Sequence, residues 1–349
     1  MENAMKRVGA IVVCFSSIIL LTTTSYGEPN VTGQKGLFRV TSAEVPKTGE
    51  VALSVHDEFF SQKNLLTSDS KLLKNSVRMA VGYTPLKFLE VSLGTNVESN
   101  QLDSNGKSTL AQTSGDLDLN VKGSYDGFLP ELTVGGRARV IFYTTFDKIG
   151  YELGATSYGI DLLGTYDFTK WASSWPLKAT LNIGYLIDNT EALLSDTPDS
   201  KPLKSDPPVA HYASDIRGDN VINIGLGFEV PLPEYYITPL LEFTVRYANT
   251  YSVYKESGNS NFDKVSFSQN PLILTPGIRV NPPVEGLNVD LGVDIGLSGK
   301  IKEDQGGGVT ENVSVTPQWT ALIAVSYAFT PVVKTTTPAP ESQAPQPSP

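Results

Sequence analysis

The sequence predicts an all-β fold: a transmembrane, antiparallel, up-and-down β-barrel of about twelve strands. Three observations predict it. Apolar residues recur at every second position over segments of about ten residues, the period of a strand with two unlike faces. The connections between these segments alternate between short and long. Charge is confined to one face of the segments, the exception being Asp57.

The first element is not part of that fold. Lys6 and Arg7 precede an apolar run, Val8 to Leu21, and a polar stretch ends at Ser25-Tyr26-Gly27. The run is short for a spanning helix and has the layout of a secretory signal peptide over residues 1–27. The one cysteine, Cys14, lies inside it, so the expected mature chain has neither disulfide nor thiolate metal site. Removing Glu2, Lys6 and Arg7 takes the formal charge from −10 to −11. That acidity argues against a nucleic-acid partner. Residues 28–49 are expected to be a periplasmic lead-in, residues 50–329 the barrel, and residues 330–349 a disordered, Pro-rich periplasmic tail.

The strands are expected at 50–60, 75–84, 88–99, 114–125, 131–143, 156–168, 177–189, 219–230, 239–249, 270–280, 287–298 and 317–329. In "LNVDLGVDIGL" (287–297), Leu287, Val289, Leu291, Val293, Ile295 and Leu297 share one face, and Asn288, Asp290 and Asp294 share the other. Segments of this length exceed the five to six residues usual in globular sheets and suit a tilted bilayer crossing. Short turns fall at 84–87, 126–130, 169–176, 231–238 and 281–286; longer polar connections fall at 61–74, 100–113, 144–155, 190–218, 250–269 and 299–316. In a bacterial barrel the short turns face the periplasm and the long loops face outward. Tyr83, Tyr125, Tyr166, Phe168 and Phe228 end strands at the short turns; Phe59, Phe142, Tyr185, Tyr247 and Trp319 sit at the opposite ends. Two aromatic belts match two membrane interfaces.

The last strand closes on "IAVSYAF" (323–329), with Val325, Tyr327 and Phe329 at alternate outward positions. This resembles the C-terminal assembly signal of Gram-negative outer-membrane β-barrel proteins. The resemblance implies recognition by the barrel-assembly machinery, a monomer, and outer-membrane lipid and lipopolysaccharide as surroundings. The departure from that signal is that Phe329 is not the chain terminus. A barrel followed by a Pro-rich linker is similar to the arrangement of OmpA-family proteins, in which the linker leads to a peptidoglycan-binding domain, a function not expected to carry over here. The stretch "GLFRVTSAEVPKTGEVALSV" (36–55) also looks like the entry of such barrels.

The chain has two histidines. His56 falls on the inward face without the "HxS" spacing of outer-membrane phospholipases, and His211 lies in the longest loop near Asp206 and Asp215. Neither forms a convincing catalytic set, so no enzyme activity and no cofactor is expected.

The inward face carries the functional expectation. Its basic residues are Arg78, Lys122, Arg137, Arg139, Lys178, Arg246 and Arg279. Its acidic residues are Glu90, Asp116, Asp118, Asp161, Glu242, Asp290 and Asp294, with Glu58, Glu98, Asp167, Asp188 and Glu229 in addition. Seven against twelve leaves −5. Charges lining a wet lumen tune ion passage, which points to a porin-like channel for small hydrophilic solutes, leaning toward cations. The alternative is a non-conducting barrel that works through its external loops. If Tyr125 lies opposite Leu132, Asp118 faces Arg139 and Asn120 faces Arg137.

Overall fold

The structure is a computed structural model. It describes residues 28–64, 71–104, 107–144, 153–172, 176–190, 192–195, 219–248, 270–298, 300–304, 310–314 and 316–331. The signal peptide, His211 and the tail beyond residue 331 lie outside the described residues.

Twelve strands close into one antiparallel barrel. In chain order they are β1 (Val51–Lys63), β2 (Lys71–Leu86), β3 (Leu89–Ser104), β4 (Lys107–Leu129), β5 (Leu132–Thr144), β6 (Leu153–Asp167), β7 (Lys178–Ile187), β8 (Val221–Glu229), β9 (Ile237–Tyr247), β10 (Leu272–Val280), β11 (Leu287–Gly296) and β14 (Trp319–Phe329). β12 (Lys300–Asp304) and β13 (Thr310–Ser314) form a separate hairpin in the connection before β14. The sequence placed only a loop there. Closure is made by β1 and β14, with Val51 opposite Phe329 and Phe59 opposite Ala321. Closing the sheet leaves the twelve-stranded barrel without an edge strand.

The strand positions follow the period-two pattern, and the main departure is length. β2, β3 and β4 continue past the apolar part, so Asp103 still pairs with Ser108 where a loop was expected. Polar residues can extend a ladder because backbone hydrogen bonds, not side chains, hold it. Leu93, Leu119, Ile160, Leu162, Leu291 and Val293 are exposed on the outer face. Phe59 and Trp319 lie together at the long-loop end with ring centroids 6.3 Å apart, and Tyr327 stacks on Phe329 at 5.7 Å at the other end. Asp57, the outward charge, accepts a hydrogen bond from Asn75 at 3.0 Å.

Residues 28–49, expected as a lead-in beyond the barrel, instead lie inside it. Leu37, Phe38 and Val40 are buried in one cluster with Leu240 of β9 and Leu322 of β14. The segment doubles back on itself through bridges pairing Pro29 with Lys35 and Gly36 with Thr41. Gly33 takes a φ of +79°, a backbone conformation that favours glycine. A Cβ there would also meet Ala80 of β2 at 2.7 Å. Residues 49 and 50 return to the short-turn rim, where Gly49 N donates to Thr84 O at 2.7 Å, before β1 begins.

Candidate functional site: a plugged, charged lumen

The plug has an apolar side and a polar side, and the barrel wall is built to match both. Where Phe38 seats, the wall offers Gly277 and Gly292; a Cβ at either would stand 2.4 or 2.7 Å from the ring. Elsewhere the plug's backbone is satisfied by wall side chains, as buried amides must be. Thr41 and Asn182 of β7 exchange two hydrogen bonds, N to Oδ1 and Nδ2 to O, both at 2.7 Å. Ala43 N donates to Thr165 Oγ1 of β6 at 2.9 Å. Glu242 of β9 accepts from Arg39 N at 3.0 Å and from Val40 N at 2.9 Å.

Ion pairs complete the seat. Lys122 of β4, fully buried, contacts Glu90 of β3 at 2.5 Å and donates to Ser42 O at 3.0 Å and Glu44 O at 2.7 Å. Glu90 in turn accepts from Lys35 N at 2.9 Å. Arg279 of β10 holds Asp290 of β11 through Nε and Nη2, both at 2.8 Å, and reaches Glu28 at 3.0 Å and Gly36 O at 3.1 Å. Arg39 of the plug bridges Glu58 of β1 and Asp294 of β11, each at 2.9 Å. Glu44 pairs with Lys35 at 2.8 Å and Lys178 at 3.2 Å. Burial pushes the Glu44 carboxyl up, but the two lysines outweigh it and hold it down at about 2. The same contacts hold the Lys35 ammonium above its ordinary range despite its burial.

Every predicted inward residue lies on the inner face, yet few remain uncommitted. Arg137 donates from Nε to Asp161 at 2.8 Å and from Nη1 to Thr41 at 2.7 Å. Arg246 reaches Asp188 at 3.4 Å. Asp116 accepts from Thr144 N at 2.9 Å, and Asp118 accepts from Asn120 at 3.1 Å. The expected β4–β5 register is corrected by two residues: Tyr125 faces Val134, Lys122 faces Arg137, and Asn120 faces Arg139. The pairing is irregular between Tyr125 and Leu129, so the turn absorbs residues that a tight hairpin would have placed in the ladder. Asp118 consequently faces Ile141, and the proposed Asp118–Arg139 pair is replaced by Arg137–Asp161 across to β6.

Toward the long-loop end of the barrel the plug leaves a cavity of about 400 Å³. Arg39, Lys74, Arg78, Arg137, Arg139 and Arg246 line it, as do Glu58, Glu98, Asp116, Asp118, Asp161 and Asp294. The acid excess of the whole inner face therefore does not extend to this cavity. Sequence reasoning missed the plug residues Glu28, Lys35, Arg39 and Glu44, and the wall residues Thr165 and Asn182. The available signal was the mixed charge of residues 28–49 together with glycines at inward positions of β8, β10 and β11. No group of His, Cys, Asp and Glu suited to a metal occurs among the described residues.

No protein-family model and no curated protein sequence matches the chain. Solved structures of similar outline include the NanC porin, with TM-score 0.43 and 13% identity over 79% of this chain and 98% of that one. An outer membrane channel from Pseudomonas putida F1 gives TM-score 0.45 and 11% identity over 82% of this chain and 98% of that one. The beta domain of the Bordetella autotransporter BrkA gives TM-score 0.44 and 11% identity over 81% of this chain and 100% of that one. The fold assignment rests on the strand pairing itself.

Proposed function

We propose that this chain is an outer-membrane β-barrel channel for small hydrophilic solutes, held closed by its own residues 28–50. The carrying observation is the combination of an apolar outer wall with a charged lumen that is filled at one end and hollow at the other. In this reading the short turns and the tail face the periplasm and the cavity opens outward. Lipid and lipopolysaccharide surround the barrel, and the assembly machinery reads Val325, Tyr327 and Phe329. The plug is held largely by hydrogen bonds and ion pairs, which water can replace, so it can leave the lumen without unfolding the sheet.

The second reading, a non-conducting barrel acting through its loops, is favoured by the number of side chains committed to the plug. Single-channel recording in planar bilayers separates the two. The full mature chain is expected to show rare openings, and variants that weaken the plug are expected to open often. Silence from wild type and from every correctly inserted plug variant would favour the non-conducting barrel.

A further inference from the structure

The charged groups that line the cavity are equal in number, six cations and six carboxylates, but they are not equally matched by partners. Each lining carboxylate is already engaged: Glu58 and Asp294 with Arg39, Glu98 with Lys74 at 2.8 Å, Asp161 with Arg137, Asp116 with Thr144, and Asp118 with Asn120. Of the lining cations, Arg78 and Arg139 form no ion pair among the described residues. Arg139 Nε has no hydrogen-bond partner there, and neither does Nε2 of His56. His56 is only 4% exposed, lines the same cavity and lies directly across the ladder from Arg78. Asp116 and Asp118 keep their charge but have their oxygens engaged by neutral donors, so the groups whose donors stand open to a ligand are the two guanidiniums and the imidazole.

Such groups are costly to leave unmatched away from bulk water. A guanidinium is a planar fork that fits a carboxylate through two parallel hydrogen bonds. The two forks project from β2 and β5, which are separated in the sheet by β3 and β4. Three strand spacings amount to about 14 Å along the wall. Both side chains point inward from a curved wall, so their heads converge on one space from two directions. That arrangement suits a short molecule with an anionic group at each end. The volume is within the range of small-ligand pockets.

We propose that the cavity is a binding site for a small organic dicarboxylate, clamped between Arg78 and Arg139, with His56 Nε2 as a further polar contact. This names the solute class and rests on the channel reading for how the solute reaches the cavity. The binding itself does not depend on transport.

The test is isothermal titration calorimetry at low salt on the full mature chain in detergent. The probes are succinate, butyrate, succinamide and inorganic phosphate. Succinate is expected to bind at least tenfold tighter than butyrate or succinamide, and Arg78→Gln or Arg139→Gln to weaken it at least tenfold. Equal binding of succinate and succinamide, no binding of succinate, or an unchanged affinity in both folded variants would overturn the proposal. Phosphate binding tighter than succinate would overturn the carboxylate assignment. If either variant fails to fold, the probe series on wild type decides alone. Succinate binding in a protein that never conducts would refute the channel and keep the site. Conductance without succinate binding would do the reverse.

Discussion

Glu242 gives the sharpest test of the plug. Its carboxylate is completely buried and accepts the backbone N–H of both Arg39 and Val40, at 3.0 and 2.9 Å. Glu242→Ala removes the acceptor and leaves two buried amides facing a vacated space. A buried donor deprived of its partner costs about 1–3 kcal/mol. Two such donors disfavour the seated plug by roughly 2–6 kcal/mol, and water entering the space draws the value to the low end. At about 1.4 kcal/mol per decade, 2 kcal/mol is a factor of roughly 30 in the ratio of unseated to seated plug. Thr244 and Leu240, on the same face of β9, keep their ladder bonds, so the barrel itself survives. The assay is the open probability of single channels, paired with trypsin cleavage after Lys35 and Arg39. Both should rise by about thirtyfold, and Glu242→Gln, which keeps one acceptor oxygen, should give a smaller rise. An inserted, heat-modifiable Glu242→Ala barrel with unchanged current and unchanged cleavage would refute the account of the plug as a separable, hydrogen-bonded insert.

Further outcomes follow from the same contacts. Leu119, exposed on the outer face opposite Leu93 and Val140, should cost about 2–4 kcal/mol when changed to Arg if it lies near the midplane; the measurement is urea-dependent folding into lipid vesicles. Phe329→Ala with Tyr327→Ala removes the stacked pair at the β1–β14 seam and should lower membrane insertion, whereas removal of residues 332–349 should not. Glu44 titrates from 4.5 in the free chain to about 2 in the seated plug. A depressed carboxyl stabilises above its free value and loses that stabilisation as pH falls through the folded one. The Glu44 contribution to closure should thus be constant above pH 4.5 and be lost between 4.5 and 2, so open probability should climb more steeply over that range in wild type than in Glu44→Gln, whose other plug-holding carboxylates still titrate.

The barrel was legible because bilayer and lumen impose opposite chemistry on alternate residues of every strand. "LNVDLGVDIGL" shows this, with Leu291 and Val293 outward and Asp290 and Asp294 inward in the structure as in the sequence. Extended pairing in β2–β4 was not legible, since Gln101 or Ser108 carries no facial pattern even where the backbone ladder continues. The β4–β5 register failed by two residues for a related reason. A slip of one would have moved Arg137 and Arg139 into lipid, so patterning excludes it; a slip of two preserves facing and leaves the turn to decide. The plug was missed because residues 28–49 have no strand period, and an irregular segment reads the same whether it lies in solvent or in a lumen. An Arg at Gly292, although on the polar inner face, would collide with Phe38, which occupies the space.

That collision points to how the wall and plug specify one another. Along β8, β10 and β11, inward Gly225, Gly277 and Gly292 leave the sheet hollow, and Val40 and Phe38 fill the hollow to within contact distance. Along β3 to β7 the inward residues are Glu90, Lys122, Arg137, Thr165 and Asn182, and each bonds a polar group of the plug. A plug rotated about the barrel axis would set Phe38 against buried charge and leave those polar groups without partners, both costly. One orientation is therefore selected by size on one arc and by hydrogen bonding on the other. A single added methyl tests the steric arc without touching any charge. Gly292→Ala brings a Cβ to within 2.7 Å of the Phe38 ring, and a Cβ at this distance must displace it. The variant should therefore raise open probability as Glu242→Ala does, and adding Phe38→Leu should restore closure by returning the space. If Gly292→Ala stays closed, or if the smaller side chain at residue 38 does not rescue it, shape on this arc does not hold the plug and its polar contacts alone must do so.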